Sequence, residues 1–294
     1  MTHFSRRFFT AAVCAAACLA ARAAAAQTPT PSSLVTPVTP ERAEPDFALV
    51  NLPTTRPLSQ GSQNFHLTHR FLGNLKANSF GDNLGNLFGL DNGAVIGLEY
   101  RIAPINNVQA VIYRNSADKV FQLSAQVDAL RQGGAIPVSV SLIGAVEGNQ
   151  NFGIGSSDSH DHTTGSHTHK SPSVGAVLSR TFGESGALYA VPMFVHNSLV
   201  IDDVTPTRDT FFVGFGARLK LMDSTYLVGE LTPRFGGYAP SKPEFAFGIE
   251  KRAGGHMFLL TLTNAYGTTF SQLARGGFPD TLYFGFNLGR KFLR

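Results

Sequence analysis

The sequence predicts an all-β fold: one antiparallel up-and-down transmembrane β-barrel of about twelve strands. Three observations lead to it. Apolar and polar residues alternate along most of the chain from Gln63 onward. The segments that connect these alternating runs are long and short in turn. Charged residues make up only 15% of the 294-residue chain, which carries 30 Gly and 24 Phe, whereas a soluble domain usually has about 25% charged residues.

The alternation has a period of two residues, which places every second side chain on the same face of a strand. In the run 119–130, Phe121 and Leu123 share one face while Gln122 and Gln126 share the other. Most runs have the nine to twelve residues that a tilted strand needs to cross a bilayer, whereas soluble strands average about 5–6 residues. The twelve predicted strands are 63–71, 92–102, 106–115, 119–130, 136–146, 173–182, 187–196, 210–220, 225–232, 243–251, 256–264 and 281–292.

The connections favour a membrane barrel over a secreted β-sandwich, which would also alternate. If the chain enters from the periplasm, the short turns all lie on the periplasmic side and the long loops outside, as in bacterial barrels. The connection 116–118 is the one short exception on the outer side. The short set is 103–105, 131–135, 183–186, 221–224 and 252–255, and the long set is 72–91, 147–172, 197–209, 233–242 and 265–280.

Residues 1–26 read as a cleaved signal peptide and residues 27–62 as a Pro-rich periplasmic leader, ahead of an outer-membrane barrel over 63–294. Arg6 and Arg7 precede an apolar run that is too short to span a bilayer, and small-residue cleavage sites follow it. The two arginines also resemble a twin-arginine export signal, although a barrel must reach its membrane unfolded, so both export routes stay open.

Removal of this segment takes away three arginines and no acid, so the formal net charge falls from +4 to +1 and gives no support for nucleic-acid binding. Both cysteines, Cys14 and Cys18, lie within it. The mature chain is then expected to form no disulfide and to have no thiolate metal site. The expected partners are membrane lipid, the outer-membrane assembly machinery and a small solute that the sequence does not identify.

The segment Asn51-Leu52-Pro53-Thr54-Thr55, followed by Phe65-His66-Leu67-Thr68-His69-Arg70-Phe71, carries a resemblance. It resembles a family of bacterial outer-membrane β-barrels of unknown function that has an N-L-P-T-T segment ahead of an F-x-x-x-H-R-F first strand. The resemblance implies the same fold and location through to the C-terminus. It implies no catalytic residues.

Polar side chains of mixed charge share the inward face of the predicted strands. Two interpretations stay open: these residues line a pore and select solutes, or they pair across the lumen and brace or plug it. The predicted pore-lining residues are His66, Arg70, Glu99, Arg101, Gln122, Gln126, Arg218, Lys220 and Glu250.

The longest predicted outer loop contains two His-x-His pairs with carboxylates nearby, over residues 158–169. Imidazole and carboxylate groups of this kind suit Zn²⁺, Cu²⁺ or Ni²⁺. The predicted ligands are His160, His162, His167 and His169. A solvated loop that binds metal only incidentally is the alternative.

The sequence therefore predicts a non-enzymatic outer-membrane barrel for passage or surface binding of a small solute. Surface capture of a divalent metal by the His-rich loop is a second hypothesis. A third, an outer-membrane lipid hydrolase using His196 and Ser198, finds less support because no recognisable nucleophile motif surrounds the serine.

Overall fold

A computed structural model describes residues 44–149, 152, 170–198, 208–236 and 242–292. They form thirteen strand segments, two short α-helices, α1 (Phe80–Gly85) and α2 (Phe270–Arg275), and 3₁₀ turns at Leu87–Asn92 and Ala117–Lys119. The strands are β1 (Gln63–Phe71), β2 (Ala94–Ile105), β3 (Val108–Asn115), β4 (Val120–Leu130), β5 (Ser139–Gly148), β6 (Lys170–Thr181), β7 (Gly186–Ser198), β8 (Arg208–Met222), β9 (Thr225–Thr232), β10 (Arg234–Gly236), β11 (Glu244–Ala253), β12 (His256–Thr263) and β13 (Tyr283–Phe292).

All of these strands belong to one antiparallel sheet that closes on itself. Consecutive strands pair from β1 to β9, β1 pairs with β13, and β9 pairs with both β8 and β11. The short β10 continues β9 after Pro233, which has no N–H to donate to the sheet, so the two segments together make one strand of the barrel. The predicted antiparallel barrel of about twelve strands is confirmed. None of the helices among the described residues is long and apolar enough to cross a membrane.

The barrel has the reverse polarity of a soluble protein. Outward positions in mid-strand are large and apolar, including Leu98, Phe247 and Leu260, and all three are exposed. Inward neighbours on the same strands, such as Arg101 and Glu250, are buried. An apolar outer surface of this extent is stable only in lipid, and closure leaves no unpaired strand edge there.

The short connections have the turn chemistry that the sequence predicted. Gly254 and Gly255 join β11 to β12 and both have positive φ, 53° and 81°. A two-residue hairpin of this kind requires positive φ at both positions, which glycine adopts without strain. The equivalent links after β2 and β8 use Asn107 and Ser224, also at positive φ.

The expected leader over residues 27–62 needs correction where the structure describes it. Residues 44–58, here called the inner hairpin, lie inside the barrel rather than in the periplasm. The hairpin turns at its tip, where the N–H of Leu49 donates to the carbonyl of Leu52 over 2.8 Å, and Thr54 donates to Phe47 over 3.0 Å. Leu49, Val50 and Leu52 are fully buried. Proline density correctly predicted that this segment forms no long strand, but it gave no information on the apolar tip.

The connection between β12 and β13 also differs from expectation. The sequence predicted an outer loop over residues 265–280, whereas most of residues 264–277 are buried, with Tyr266 and Thr268 half-buried, and α2 packs against β6, β7 and β8 inside the barrel. We call residues 264–282 the inner loop. Its apolar side chains Phe270 and Leu273 explain the inward course, because they are removed from water there.

Lipid contact on the outer face predicts a strong cost for a charge in mid-strand. Leu260 lies near the middle of β12, and we expect Leu260→Arg to lower the free energy of unfolding by about 2–4 kcal/mol, measured by urea titration in liposomes. The matched control is Leu84→Arg on α1, since Leu84 has a similar exposed fraction, 54% against 58%, outside the strands. Equal effects of the two substitutions would contradict a lipid-facing β12.

Candidate functional site: a filled barrel lumen

The inner hairpin packs against one apolar side of the lumen. Inward residues of β7 and β8, among them Met193 and Phe212, are buried together with Leu49 and Leu52 of the hairpin and with Leu273 of α2. This cluster lies within the barrel, in addition to the apolar surface that faces lipid. The hairpin and the inner loop therefore share one hydrophobic core with the wall from β6 to β9.

Two glycines of β8 provide the space for the hairpin. A Cβ atom added at Gly216 would lie 2.1 Å from Leu49 Cδ1, and one added at Gly214 would lie 2.5 Å from Leu52 Cδ2. Both distances are shorter than van der Waals contact. The glycines on the inward face of this strand are thus matched to the two leucines of the hairpin tip.

The tip of the hairpin is bound by one carboxylate. Glu230 on β9 accepts hydrogen bonds from three consecutive backbone N–H groups: Val50 at 3.1 Å, Asn51 at 2.9 Å and Leu52 at 3.1 Å. Hydrogen bonds to a charged acceptor are about twice as strong as neutral ones, and a buried N–H without a partner is costly. Glu230 therefore provides the hydrogen-bond acceptor for all three N–H groups of the tip, and the residues on either side of Asn51 are fully buried.

Asn51 connects this carboxylate to a second one. Its side-chain amide donates to Glu244 over 3.1 Å, and its side-chain oxygen accepts from Arg70 over 3.1 Å. Arg70 also donates to Asn287 over 2.7 Å, and Asn287 donates in turn to the carbonyl of Val50 over 2.8 Å. Four strands of the barrel, β1, β9, β11 and β13, thereby contact the tip.

Nearer the short-turn end of the barrel, a buried ion pair holds the first limb of the hairpin, which precedes its tip. Arg218 and Glu250 are fully buried and lie 2.8 Å apart, and Arg218 also donates to the carbonyl of Ala48 over 2.8 Å. Glu44 binds the second limb through the backbone N–H of Thr55 at 3.0 Å. Burial raises the pKa of Glu44 above its ordinary value, and the hydrogen bonds from Thr55 oppose this shift.

The second limb of the hairpin, which follows its tip, is held through its backbone carbonyl oxygens. Polar side chains of the barrel wall donate hydrogen bonds to them. Gln126 donates to Thr54 over 2.9 Å, Arg131 to Thr55 over 3.1 Å, and Gln109 to Arg56 over 2.9 Å. Because these contacts are made with the backbone, they fix the path of the limb and do not depend on the identity of its side chains.

The inner loop is held from the opposite end in a similar way. Glu147 on β5 accepts from the backbone N–H of Ser271 at 2.7 Å and from its hydroxyl at 2.6 Å, while Gln122 accepts from Phe270 N–H at 3.0 Å. Tyr113 and Asn115 on β3 both hydrogen-bond to Thr268. Within the described residues, the backbones of both inner segments are thus held by wall side chains.

A small cavity remains between the inner hairpin, the inner loop and the polar wall of β1 to β4. Its volume is about 40 Å³, which is room for a few water molecules. Buried His66, Arg101 and Gln126 line it, and Nε2 of His66 has no hydrogen-bond partner among the described groups. Within the described residues, the inner hairpin and the inner loop both occupy the lumen, and this cavity lies between them.

Eight of the nine predicted pore-lining residues face the lumen, and four of them form hydrogen bonds with the inner segments. Arg70, Gln126 and Arg218 contact the hairpin and Gln122 contacts the inner loop. Arg101 pairs with Glu99 over 3.1 Å. Lys220 instead lies at the short-turn rim, 3.1 Å from Asp223. Whether these residues select a solute stays a prediction.

Sequence reasoning missed the residues that bind the tip. Glu230 and Glu244 lie on inward positions of predicted strands, so the alternation could have placed them in the lumen. It could not show that Asn51 reaches them, because the two strands follow Asn51 by about 180 residues or more. The one local signal was the resemblance, whose two motifs contain the contacting pair Asn51 and Arg70.

The other candidate residues do not form a site in the described part of the chain. His160, His162, His167 and His169 lie outside the described residues, so metal binding there stays a prediction. Elsewhere in the described ranges, no group of three or more His, Cys, Asp or Glu is arranged to bind a metal.

A bulge near the end of β7 separates the two residues of the hydrolase hypothesis. His196 pairs with exposed Asp209 over 2.7 Å, whereas buried Ser198 donates its hydroxyl to the carbonyl of Arg208 over 2.6 Å. This geometry gives no support to a serine nucleophile activated by His196.

The fold and the filled lumen define a membrane-bound β-barrel of the outer-membrane type, in contact with lipid on its outer face. The chain belongs to the family described as "Membrane bound beta barrel domain (DUF5777)", whose model matches residues 46–292. The match begins within the inner hairpin, and it confirms the resemblance to an uncharacterised barrel family. No curated protein matches the sequence.

Solved structures of similar architecture include three outer-membrane proteins, all distant in sequence. The NanC porin is 9% identical with a TM-score of 0.48, covering 79% of this chain and 100% of that chain. OmpT of Vibrio cholerae is 12% identical with a TM-score of 0.38, covering 67% and 64%. The channel DcaP of Acinetobacter baumannii is 12% identical with a TM-score of 0.33, covering 78% and 72%. At these scores the likenesses carry no argument about function.

Loss of the Glu230 carboxylate should loosen the hairpin tip. Glu230→Ala leaves three buried N–H groups without an acceptor, at a cost of about 1–3 kcal/mol for each group. A net loss of about 3 kcal/mol in docking corresponds to roughly hundredfold faster hydrogen exchange at Val50, Asn51 and Leu52. Hydrogen exchange with mass spectrometry measures this directly.

The control for this experiment is Glu184→Ala, which removes a carboxylate from the exposed turn between β6 and β7. It should leave exchange at the tip unchanged. If Glu230→Ala also leaves the tip protected, the carboxylate does not hold the hairpin.

Proposed function

We propose that the protein is an outer-membrane channel for small polar solutes, closed by its own inner hairpin and opened when the hairpin leaves the lumen. The observation that carries the proposal is the way in which the hairpin is attached. It adds no strand to the barrel, and its polar contacts with the wall are made through wall side chains such as Glu230, Gln126 and Arg218.

Departure of the hairpin would leave the barrel intact. Every wall strand is paired on both sides with other wall strands, so no sheet hydrogen bond is lost. Each hydrogen bond between hairpin and wall contributes about 0.5–1.5 kcal/mol net, since water replaces the partner that leaves. Burial of Leu49 and Leu52 adds about 1.5–3 kcal/mol for each side chain. The closed conformation is therefore the more stable one, and a change that removes part of these contributions favours opening.

The wall exposed by this movement suits a polar passage. On the side from β1 to β4, the inward groups include Thr68, Arg101, Gln109 and Gln126, which water can solvate once the hairpin is gone. A barrel of about twelve strands encloses more space than its own wall side chains fill. The same proposal includes passage of a small polar solute. It also includes export through a cleaved signal peptide and insertion by the outer-membrane assembly machinery.

The test weakens the apolar attachment without adding charge. Leu49→Asn combined with Leu52→Asn removes the apolar burial and puts two amides into the cluster that contains Met193 and Phe212. We expect this release variant to raise single-channel conductance in planar bilayers well above that of the wild-type protein. Heat-modifiability on a gel verifies that the barrel itself is folded.

The control variant makes the same substitutions at exposed leucines, Leu84→Asn and Leu90→Asn, after β1. It should conduct like the wild type. A folded release variant whose hairpin amides exchange rapidly and which nevertheless passes no current would overturn the channel proposal.

A further inference from the structure

We infer that the open lumen selects small cations and ammonium-bearing solutes through Glu230 and Glu244, here called the carboxylate pair. This inference rests on the proposed function. It concerns the groups that the hairpin tip occupies and that become available to a solute once the tip has left.

The two carboxylates converge on one residue of the tip. Glu230 on β9 accepts from the backbone N–H of Asn51, and Glu244 on the neighbouring β11 accepts from its side-chain amide over 3.1 Å. The strand register pairs Glu230 with Ala246 and Glu244 with Thr232. The two glutamates are therefore diagonal neighbours on one face, about 7–8 Å apart at the backbone.

The pair already binds a ligand with several N–H donors, namely the chain's own tip. Glu230 takes three backbone N–H groups, and Glu244 takes the Asn51 amide and the hydroxyl of Thr232 at 2.8 Å. A group that replaces the tip must offer the same donors or a positive charge, because a buried carboxylate without a partner is costly. An ammonium group provides N–H donors and a positive charge, and a hydrated metal cation provides a positive charge together with the O–H donors of its water ligands.

The remaining charges at this level leave a negative balance. Arg70 is the guanidinium that contacts the tip, and it faces two carboxylates. Nearer the short-turn end, Glu250 pairs with both Arg218 and Arg252, and Glu99 pairs with Arg101, so arginines of the wall already neutralise these two carboxylates. Docking of the tip supplies N–H donors instead of a counter-charge, and its departure returns the carboxylate pair to the lumen with an excess of one negative charge.

The experiment measures ion selectivity of the release variant in a potassium chloride gradient. One uncompensated carboxylate about 4 Å from a passing ion attracts K⁺ and repels Cl⁻ by about fivefold each in water, which favours K⁺ over Cl⁻ by about thirtyfold. We expect that preference in the release variant, and we expect the permeability ratio to fall toward one when Glu230→Gln and Glu244→Gln are added. The glutamine substitutions keep the size of both side chains while removing the charge.

A matched control removes two carboxylates elsewhere. Asp82→Asn with Asp91→Asn, both exposed in the connection after β1, should leave the selectivity of the release variant unchanged. Equal loss of selectivity in this control would overturn the assignment to the carboxylate pair.

The outcomes separate the two proposals. Current without cation preference, or with preference for Cl⁻, overturns the selectivity inference and leaves the channel proposal standing. Absence of current in the folded release variant overturns the channel, and the selectivity inference with it. Cation preference that the two glutamine substitutions abolish supports both.

Discussion

The structure depends on the requirement that a strand in lipid must have both of its edges paired. With no water in the hydrocarbon region, an open sheet would leave N–H and carbonyl groups unsatisfied, so the sheet closes where β1 meets β13. The closed barrel also reverses the usual polarity of a soluble protein: Leu and Phe face outward, and Arg, Glu and Gln face inward. About twelve strands also enclose a space that must be filled by something, either water or protein.

Protein fills that space here, and the wall is adapted to the segments that enter. Gly214 and Gly216 make room for Leu52 and Leu49, and Glu230 supplies the acceptor that three tip N–H groups need. Glu147 does the same for the inner loop. The two segments enter from opposite ends and meet wall carboxylates through backbone N–H groups. Neutral backbone can therefore occupy a mixed-charge lumen because its N–H groups give the buried carboxylates hydrogen-bond partners in place of counter-charges.

The sequence predicted the wall well because the wall obeys a local rule. A period of two residues and a membrane-length run are visible in any stretch of ten residues, and the predicted β1 at 63–71 agrees with the structure at both ends. The inward side of Arg70, Gln126, Arg218 and Glu250 followed from the same alternation.

The sequence did not predict what occupies the lumen, because that depends on contacts between distant residues. Proline in residues 27–50 indicated an extended segment, and nothing local distinguishes a segment in the periplasm from one inside a barrel. The partners of Asn51 on β9 and β11 are 179 and 193 residues away. The length of residues 265–280 predicts an outer loop, although burial favours side chains such as Phe270 and Leu273.

The central claim is that the inner hairpin closes a channel by occupying it reversibly, and a reversible crosslink tests this most directly. The hydroxyls of Thr55 on the hairpin and Ser179 on β6 lie 2.5 Å apart, so Thr55→Cys with Ser179→Cys places two thiols within reach of a disulfide. The account predicts that the oxidised protein never opens in a planar bilayer, and that reduction of the same sample restores openings. Equal conductance in the oxidised and reduced states would contradict it.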